Sequence, residues 1–373
     1  MRDTLKVIYC SLDYTPHDHR FLSALAETEH EVFYVRLQRG PRQTEDRPVP
    51  SNIEQVQWAG GQHEFRWRDL PRLTFDFRRL TQEIKPDLIH AGPIQTCGLL
   101  AALTGFHPLL TMSWGYDLMQ DAERNWLMRK ITFYVLRFTD FFTSDCETTR
   151  QKAIALGMNP KRTIVFPWGV DLQRFTPAVT LRLRSGQALH SSLFTVLCNR
   201  AWEPLYGMDV LARAFVEAAR QRPELRLMLL GGGSQGNLLR QILTDRGVLE
   251  RVHFGGQVSQ SELPRYYQMA DLYISASHVD GSSVSLMEAL ACGLPALVSD
   301  IPANQEWVAE GVNGWLFPDG NVDALSAAIL RAYDERMNLA EIGRAARATA
   351  EEKADWKKNF RKLLEAYELA LKV

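Results

Sequence analysis

Residues 272–298 carry a complete strand, loop, helix and second strand in one stretch, LYISASHVDGSSVSLMEALACGLPALV. The apolar run Leu272–Ser275 and the later run Ala296–Val298 have the length and composition of buried strands. Small polar residues follow the first strand, and the helical pattern after them ends at Gly293, a residue typical of helix C-termini. Two buried strands joined through a helix predict parallel neighbours in one sheet.

The same alternation of strands and helices extends across the chain. Further strands are predicted at Leu5–Cys10, Glu31–Arg36, Asp87–Ala91, Leu109–Met112, Thr195–Cys198, Leu225–Leu230 and Val252–Phe254. Alternating elements of this kind favour parallel sheets covered by helices on both faces, and the series occurs twice. The predicted fold is therefore α/β, with two facing Rossmann-like doubly wound domains. Ligands bind at the carboxyl ends of the strands in such sheets, which predicts a cleft between the domains.

A polar, weakly periodic segment divides the two series. We predict an N-terminal domain over residues 1–178, a linker over 179–193 and a C-terminal domain over 194–354. The helical pattern of 355–373 is expected to pack back on the N-terminal domain. A chain of 373 residues is long enough for two such domains.

Composition excludes several classes of protein. The 43 basic and 44 acidic side chains give a net charge of −1, which disfavours a nucleic-acid-binding role. The most apolar stretch, 88–110, is interrupted by His, Gly, Pro and Gln residues, so no transmembrane span is expected. The five cysteines are scattered and form no C-x-x-C, which predicts a cytoplasmic protein without disulfides.

Two glycine-rich or small-residue turns are candidate phosphate sites. Gly231-Gly232-Gly233-Ser234-Gln235-Gly236 follows a predicted strand and satisfies G-x-G-x-x-G, a pattern that lets the backbone approach a phosphate at a helix N-terminus. A tight strand-to-helix turn without a ligand is the alternative. The dinucleotide version requires an acid at the end of the next strand, whereas Glu250 precedes that strand, so NAD binding is poorly supported.

The loop Gly281-Ser282-Ser283 can likewise offer bare N–H groups to an anion, and Glu288 lies about one turn into the following helix. A carboxylate there can accept both hydroxyls of a ribose, although the helix dipole alone also favours it. Arg200 follows another strand, where a cation can neutralise a diphosphate; a surface arginine is the alternative.

Five motifs resemble those of the retaining glycosyltransferases of family 4 and occur in the same order along the chain. These enzymes have the two-domain GT-B architecture. The matching segments are Trp168-Gly169-Val170-Asp171, Arg200 with Gly207-Met208-Asp209, Leu230-Gly231-Gly232-Gly233, Asp280 to Glu288 as the E-x7-E motif, and Glu306 with Asn313-Gly314. The resemblance is dense over the second half of the chain and thinner over the first. It implies transfer of a sugar from a nucleotide diphosphate sugar to an acceptor hydroxyl, with retention of the anomeric configuration.

The resemblance also implies roles for individual residues. Arg200, the glycines Gly231, Gly232 and Gly233 and the N–H groups around Gly281, Ser282, Ser283 and Val284 are expected to hold the diphosphate. Glu288 is expected to bind the ribose, and Asp280 the hydroxyls of the donor sugar. Arg200, Asp280 and Asp117 are the predicted catalytic residues; Asp117 lies in a loop where the family usually has a histidine.

Two positions depart from the family pattern. Leu205-Tyr206 precedes Gly207, where a phosphate-binding lysine is usual, and Asp280 replaces the first glutamate of E-x7-E. No two aspartates are two positions apart, so the D-x-D pair of metal-dependent transferases is missing. We therefore expect no metal and no cofactor, with the nucleotide sugar as co-substrate.

The acceptor site is the part of the protein about which the sequence says least. Loop residues His17, Asp18, Arg20 and Trp114 are predicted on the acceptor side, for a saccharide or lipid-linked acceptor. Cations alternate with aromatics over 65–79, which is typical either of peripheral contact with the cytoplasmic membrane face or of an ordinary solvated helix. The aromatic segment 125–141 is expected in the core.

Other functions remain open on the sequence alone. A nucleotide-sugar epimerase would use the same two domains without an acceptor. A non-catalytic nucleotide-sugar-binding subunit is suggested by the missing lysine and by Asp280. An NAD-dependent oxidoreductase is disfavoured by the position of Glu250.

Overall fold

A computed structural model describes residues 4–40, 45–177 and 193–373 of the chain. The chain divides into two compact units: one runs to Pro167 and also contains Lys358–Val373, and the other is Trp168–Lys357. The predicted boundary placed 168–177 in the first domain, whereas these residues group with the second unit. All of the predicted linker except residue 193 lies outside the described residues.

The first unit contains a seven-stranded sheet in the order β3-β2-β1-β4-β5-β6-β7, with every neighbouring pair parallel. Its strands are β1 (Lys6–Leu12), β2 (Glu31–Leu37), β3 (Glu54–Gln55), β4 (Leu88–Gly92), β5 (Leu109–Met112), β6 (Phe141–Ser144) and β7 (Thr163–Val165). The central strands β1 and β4 are buried on both faces, which explains why their sequences are apolar rather than alternating.

Helices of the first unit are Pro16–Ala26, Leu70–Ile84, Leu99–Thr104, Tyr116–Met119, Trp126–Phe138 and Glu147–Ala155. A capping box begins the first of them, because Thr15 and Asp18 satisfy each other's backbone N–H groups. The side chain of Asn125 caps the helix Trp126–Phe138 by accepting from Met128 N at 2.9 Å. These caps fix where the loops after the strands turn into helices.

The C-terminal helix Trp356–Ala370 contributes to the core of the first unit. Tyr367 is 1% exposed, and its hydroxyl lies 2.9 Å from Nδ1 of His90 in the middle of β4. Burial lowers the pKa of His90 to about 3, so the imidazole is neutral. His90 is therefore a core histidine and not a ligand at a strand end.

The second unit contains a six-stranded parallel sheet in the order β10-β9-β8-β11-β12-β13. Its strands are β8 (Phe194–Cys198), β9 (Leu225–Leu230), β10 (Val252–Gly256), β11 (Leu272–Ser275), β12 (Ala296–Ser299) and β13 (Gly314–Phe317). Its helices are Met208–Gln221, Gly236–Asp245, Leu263–Met269, Val284–Ala291, Pro302–Gln305, Val322–Asp334 and Leu339–Lys353. Strand order reverses beside β8, so β8, β9 and β11 bring their following loops to one edge of the sheet.

Gly207 shows how closely two of these loops approach. It has a φ of +57°, and a Cβ added there would lie 2.1 Å from the carbonyl oxygen of Ala276. Only glycine allows this backbone conformation and this contact together. The segment after β8 is thereby held against the segment after β11, where the candidate site lies.

Candidate functional site

Arg200 is the centre of a polar cluster at the carboxyl ends of β8 and β11. Its Nη2 lies 2.8 Å from Oδ2 of Asp280, and its Nη1 donates to the Oγ atoms of Ser283 at 2.7 Å and Ser285 at 3.1 Å. The sequence predicted that these loops meet, because parallel strands place them at one edge. It did not predict that Arg200 and Asp280 form an ion pair.

Tyr206 occupies the position where the family usually has a lysine. The guanidinium of Arg200 lies 4.2 Å above the centre of its ring, which is a cation–π arrangement. The ring of Tyr206 therefore holds Arg200 in place, whereas a lysine at this position would add a second positive charge.

The guanidinium is almost enclosed but not fully satisfied. The side chain of Arg200 is 11% exposed, and its Nε is buried with no hydrogen-bond partner among the described residues. Burial opposes its charge, yet the neighbouring Asp280 raises the pKa of Arg200 above the usual arginine range. Burial also raises the pKa of Asp280, an effect that Arg200 partly offsets. Arg200 thus places a positive charge, and an Nε–H group without an acceptor among the described residues, at the end of β8.

The glycine turn after β9 is open to solvent. Gly232 and Gly233 are exposed, whereas the N–H of Gly231 is used in a 2.6 Å bond to the carbonyl of Gly256. Gly233 has a φ of +156°, and a Cβ there would lie 2.5 Å from the carbonyl oxygen of Trp202. The turn therefore requires glycine to pack against the segment that carries Arg200.

The loop before the helix Val284–Ala291 is organised by serines. Ser283 caps the helix by accepting from Leu286 N, and its hydroxyl also contacts Ser285 at 3.0 Å. Tyr273 on β11 extends this chain of hydroxyls, with its oxygen 2.8 Å from Oγ of Ser285. The free N–H groups of a helix N-terminus favour an anion at this place, beside the guanidinium.

Glu288 lies one turn into that helix and is 2% exposed. Its Oε2 accepts a 2.8 Å hydrogen bond from the hydroxyl of Tyr267, which in turn accepts from Nδ2 of Asn199 at 2.7 Å. Sequence reasoning missed both partners, because Tyr267 comes from the preceding helix and nothing in its local pattern distinguishes it from a core aromatic. Burial and the nearby Glu288 raise the pKa of Tyr267, so its hydroxyl stays a donor.

Asp117, predicted to be catalytic, is fully buried in the first unit. Its Oδ1 accepts from Ser113 Oγ at 2.6 Å and from the N–H groups of Trp114 and Leu118 at 3.0 Å, and its Oδ2 accepts from Ile94 N at 3.0 Å. Burial raises its pKa to about 6. This geometry favours a role in shaping the loop after β5 over contact with a substrate.

Of the four predicted acceptor-side residues, His17 and Trp114 have their rings in contact. Asp18 is fully buried in its capping box, and the hydroxyl of Tyr9 lies 3.2 Å from its Oδ1; burial raises its pKa to about 6. The rings of His17 and Trp114 lie 5.3 Å apart at 85°, whereas Arg20 is half-buried one turn further along the helix. Asp18 therefore supports the start of the helix Pro16–Ala26, and its role on the acceptor side stays a prediction.

Aromatic side chains on two helices of the first unit differ in exposure, and those on the helix Trp126–Phe138 differ from expectation. Phe77 is in the core, but Phe75 is 74% exposed. Trp126 and Phe133, expected in the core, are 70% and 52% exposed, because the helix Trp126–Phe138 buries only Thr132, Val135 and Leu136. In the described part of the chain, no helix is long and apolar enough to cross a membrane. No group of three or more metal-ligating side chains occurs there either.

Family models match both units. Residues 16–169 match the glycosyl transferase 4-like domain, and residues 184–349 match the glycosyl transferases group 1 model. This chain belongs to the GT4-type glycosyltransferases. Such an enzyme transfers a sugar from a nucleotide sugar, which agrees with the expectation from the five motifs.

Curated relatives of this glycosyltransferase act on several acceptors. It is 27% identical over 288 residues to a GDP-mannose-dependent α-(1-6)-phosphatidylinositol monomannoside mannosyltransferase of Mycolicibacterium smegmatis, with 74% of each chain covered. It is 25% identical over 371 residues to a D-inositol 3-phosphate glycosyltransferase of Pseudarthrobacter chlorophenolicus, covering 94% of this chain and 88% of the relative.

Solved structures show that the glycosyltransferase has the GT-B fold. Sucrose-phosphate synthase of Thermosynechococcus elongatus superposes with a TM-score of 0.79 at 18% identity, covering 97% of this chain and 98% of that one. HepE of Anabaena, in complex with UDP and glucose, superposes with a TM-score of 0.75 at 18% identity, covering 98% and 99%.

Proposed function

We propose that this glycosyltransferase is retaining and metal-independent, and that it binds the diphosphate of its donor through Arg200. The observation that carries the proposal is the buried Nε of Arg200, which has no acceptor among the described residues although the rest of the guanidinium is held on three sides. A phosphate oxygen is the kind of group that completes such a cation. The resemblance to retaining family 4 enzymes supports retention.

The donor then occupies the edge formed by the loops after β8, β9 and β11. The exposed glycines Gly232 and Gly233 and the N–H groups of 282–284 surround the diphosphate, and Glu288 accepts the ribose hydroxyls. When the diphosphate becomes a counter-ion of Arg200, Asp280 no longer has to balance that charge alone and can accept hydrogen bonds from the donor sugar.

Charge develops on the diphosphate as the bond to the sugar breaks. Preorganised donors stabilise such charge most when they are fixed before the reaction and shielded from water. Arg200 meets both conditions, because Tyr206, Ser283 and Ser285 hold it while only 11% of the side chain is exposed. The positive charge that a divalent ion would supply can therefore come from the protein, in a chain whose sequence lacks D-x-D.

The first unit is proposed to bind the acceptor, a glycan, glycolipid or other small hydroxyl compound. Exposed Phe75 and Trp126, together with cations such as Lys130, support peripheral contact with an anionic membrane surface. All five cysteines are free and buried, which supports a cytoplasmic location.

A thermal-shift screen of UDP, GDP, ADP and TDP with a chelator present tests the donor site. A nucleotide at 100 times its Kd stabilises the folded state by about 2.7 kcal/mol. We expect one nucleotide to raise Tm without added metal and Arg200→Gln to abolish the rise, whereas the exposed control Arg213→Gln keeps it. Proton NMR of the product should show the anomeric configuration of the donor. Inversion, or binding only with a divalent cation, would contradict the proposal.

A further inference from the structure

The first unit has a pocket of about 280 Å³ beyond the carboxyl ends of β2, β4 and β5. Its volume is just below the range typical of small-molecule sites, about 300–1,000 Å³. The four predicted acceptor-side residues do not line it. Its polar and aromatic lining includes Arg39, Phe65, Trp67, Tyr116, Asp121 and Arg124.

The lining of this pocket contains more basic than acidic side chains. Neither Arg39 nor Arg124 has a carboxylate within 4 Å of its guanidinium among the described residues, whereas nearby Arg47 and Arg129 are paired with Glu45 and Glu123. Asp121 is the acid in the lining. Two unneutralised cations against one anion leave a net positive pocket, which attracts an anion.

The backbone that presents these cations is fixed. Oδ1 of Asp13 accepts from Arg39 N at 2.8 Å and from Gly40 N at 3.1 Å, so the turn after β2 is clamped at the position of Arg39. Arg124 follows a short turn closed by its own N–H to the carbonyl of Asp121, directly before the Asn125 cap. The backbone that carries both arginines is therefore in place before a ligand arrives, which reduces the entropic cost of binding.

Aromatic rings form part of the wall. The rings of Phe65 and Trp67 lie 5.2 Å apart at 71°, and Trp67 is 45% exposed although it lines the pocket. Flat apolar faces beside cations suit a ring that carries hydroxyls on its edge and an anionic substituent. A neutral acceptor can accept hydrogen bonds from the two arginines but does not compensate their charge, as a phosphate does.

We propose that this pocket takes a phosphate-bearing polyhydroxylated ring, such as a sugar or cyclitol phosphate, with Arg39 and Arg124 on the phosphate. The inference rests on the proposed function, since it names the class of acceptor. Asp121 is placed to accept hydrogen bonds from ring hydroxyls. The same chemistry occurs in a free phosphate monoester and in the head group of a phospholipid, and the experiment separates the two.

Binding is measured by calorimetry for inositol and hexose monophosphates and for the unphosphorylated parents. A hydrogen bond to a charged group contributes roughly 1.5–3 kcal/mol, so each arginine should favour the phosphorylated form about tenfold or more. Arg39→Gln and Arg124→Gln should each remove that preference. Arg36→Gln, an exposed arginine on β2 outside the pocket, should leave it intact.

A second arm uses vesicles of phosphatidylcholine with and without phosphatidylinositol. Tighter binding of the phosphatidylinositol vesicles that is lost in Arg39→Gln assigns the phosphate to a lipid head group; tight binding of soluble phosphates assigns it to a free ester. Equal affinity for phosphorylated and parent compounds, together with no preference among vesicles, overturns the inference. Equal losses in Arg36→Gln overturn it as well.

Failure of the inference is distinguishable from failure of the proposed function. The nucleotide-induced rise in Tm depends on residues of the second unit and should persist in Arg39→Gln and Arg124→Gln. If that rise is present but phosphate discrimination is not, only the acceptor class is wrong. If no nucleotide raises Tm in the wild-type chain, the donor site itself is wrong.

Discussion

Replacing Arg200 by alanine should cost both stability and turnover, for separable reasons. The substitution leaves Asp280, whose side chain is 15% exposed, facing the space from which its counter-ion has been removed at 2.8 Å. Breaking a buried ion pair by removing one partner costs about 3–5 kcal/mol. For a domain of about 150–250 residues each kcal/mol lowers Tm by about 2–4 °C, so the expected fall is roughly 6–20 °C.

The double variant Arg200→Ala/Asp280→Asn separates the two effects. It removes the uncompensated carboxylate, so most of the lost stability should return and Tm should approach that of the wild type. Turnover should not return, because the cation for the leaving diphosphate is still absent. Loss of one group that stabilises transition-state charge typically lowers kcat by about 100- to 1,000-fold.

Calorimetric unfolding and donor turnover are measured on the same preparations, with Arg213→Ala as the control for removing an exposed arginine from the same unit. The reasoning is refuted if Arg200→Ala keeps wild-type kcat/KM. It is refuted equally if the double variant is no more stable than the single one.

Three further predictions address other residues. Glu288→Gln should raise KM for the donor tenfold or more while Glu341→Gln, an exposed residue of the same unit, does not; equal donor kinetics in both would contradict ribose binding. Gly207→Ala should destabilise the second unit by more than about 1 kcal/mol in chemical denaturation, because Cβ meets the Ala276 carbonyl at a positive φ; a neutral result would contradict the packing. The pKa of His90 is about 3 in the folded state, below its ordinary value of 6.5, so its contribution to stability is complete above pH 6.5 and is lost as pH falls toward 3. The stability difference between wild type and His90→Gln, followed by urea denaturation, should therefore change by up to about 1.4 kcal/mol per pH unit between pH 6 and 4; a constant difference would exclude this titration.

Much of the second unit could be predicted from local sequence. The apolar runs at β8, β9 and β11 predicted the strands, and glycines and serines after them predicted where the chain turns toward helices. Such strands and turns depend on residues close together in the sequence, so the type and spacing of those residues are enough to predict them. The short strands β3, β6, β7 and β13 were missed because runs of two to four residues carry little periodicity.

The contacts that organise the site could not be predicted in this way. Arg200 meets Ser283 across 83 positions of sequence, and Tyr267 reaches Glu288 from another helix. Asp117 illustrates the same limit, since the sequence places a polar residue after a strand but does not reveal the four internal donors that hold its carboxylate. The exposed rings of Trp126 and Phe133 were assigned to the core because hydrophobicity alone does not determine which helix face is covered.

A crystal structure with an intact donor analogue, grown in the presence of a chelator, tests the central claim most directly. The account predicts diphosphate density within hydrogen-bond distance of the Arg200 guanidinium, with the exposed glycines Gly232 and Gly233 and the amides of 282–284 around it and Glu288 at the ribose. Density elsewhere in the protein, or density that appears only when a divalent cation is added, would contradict it.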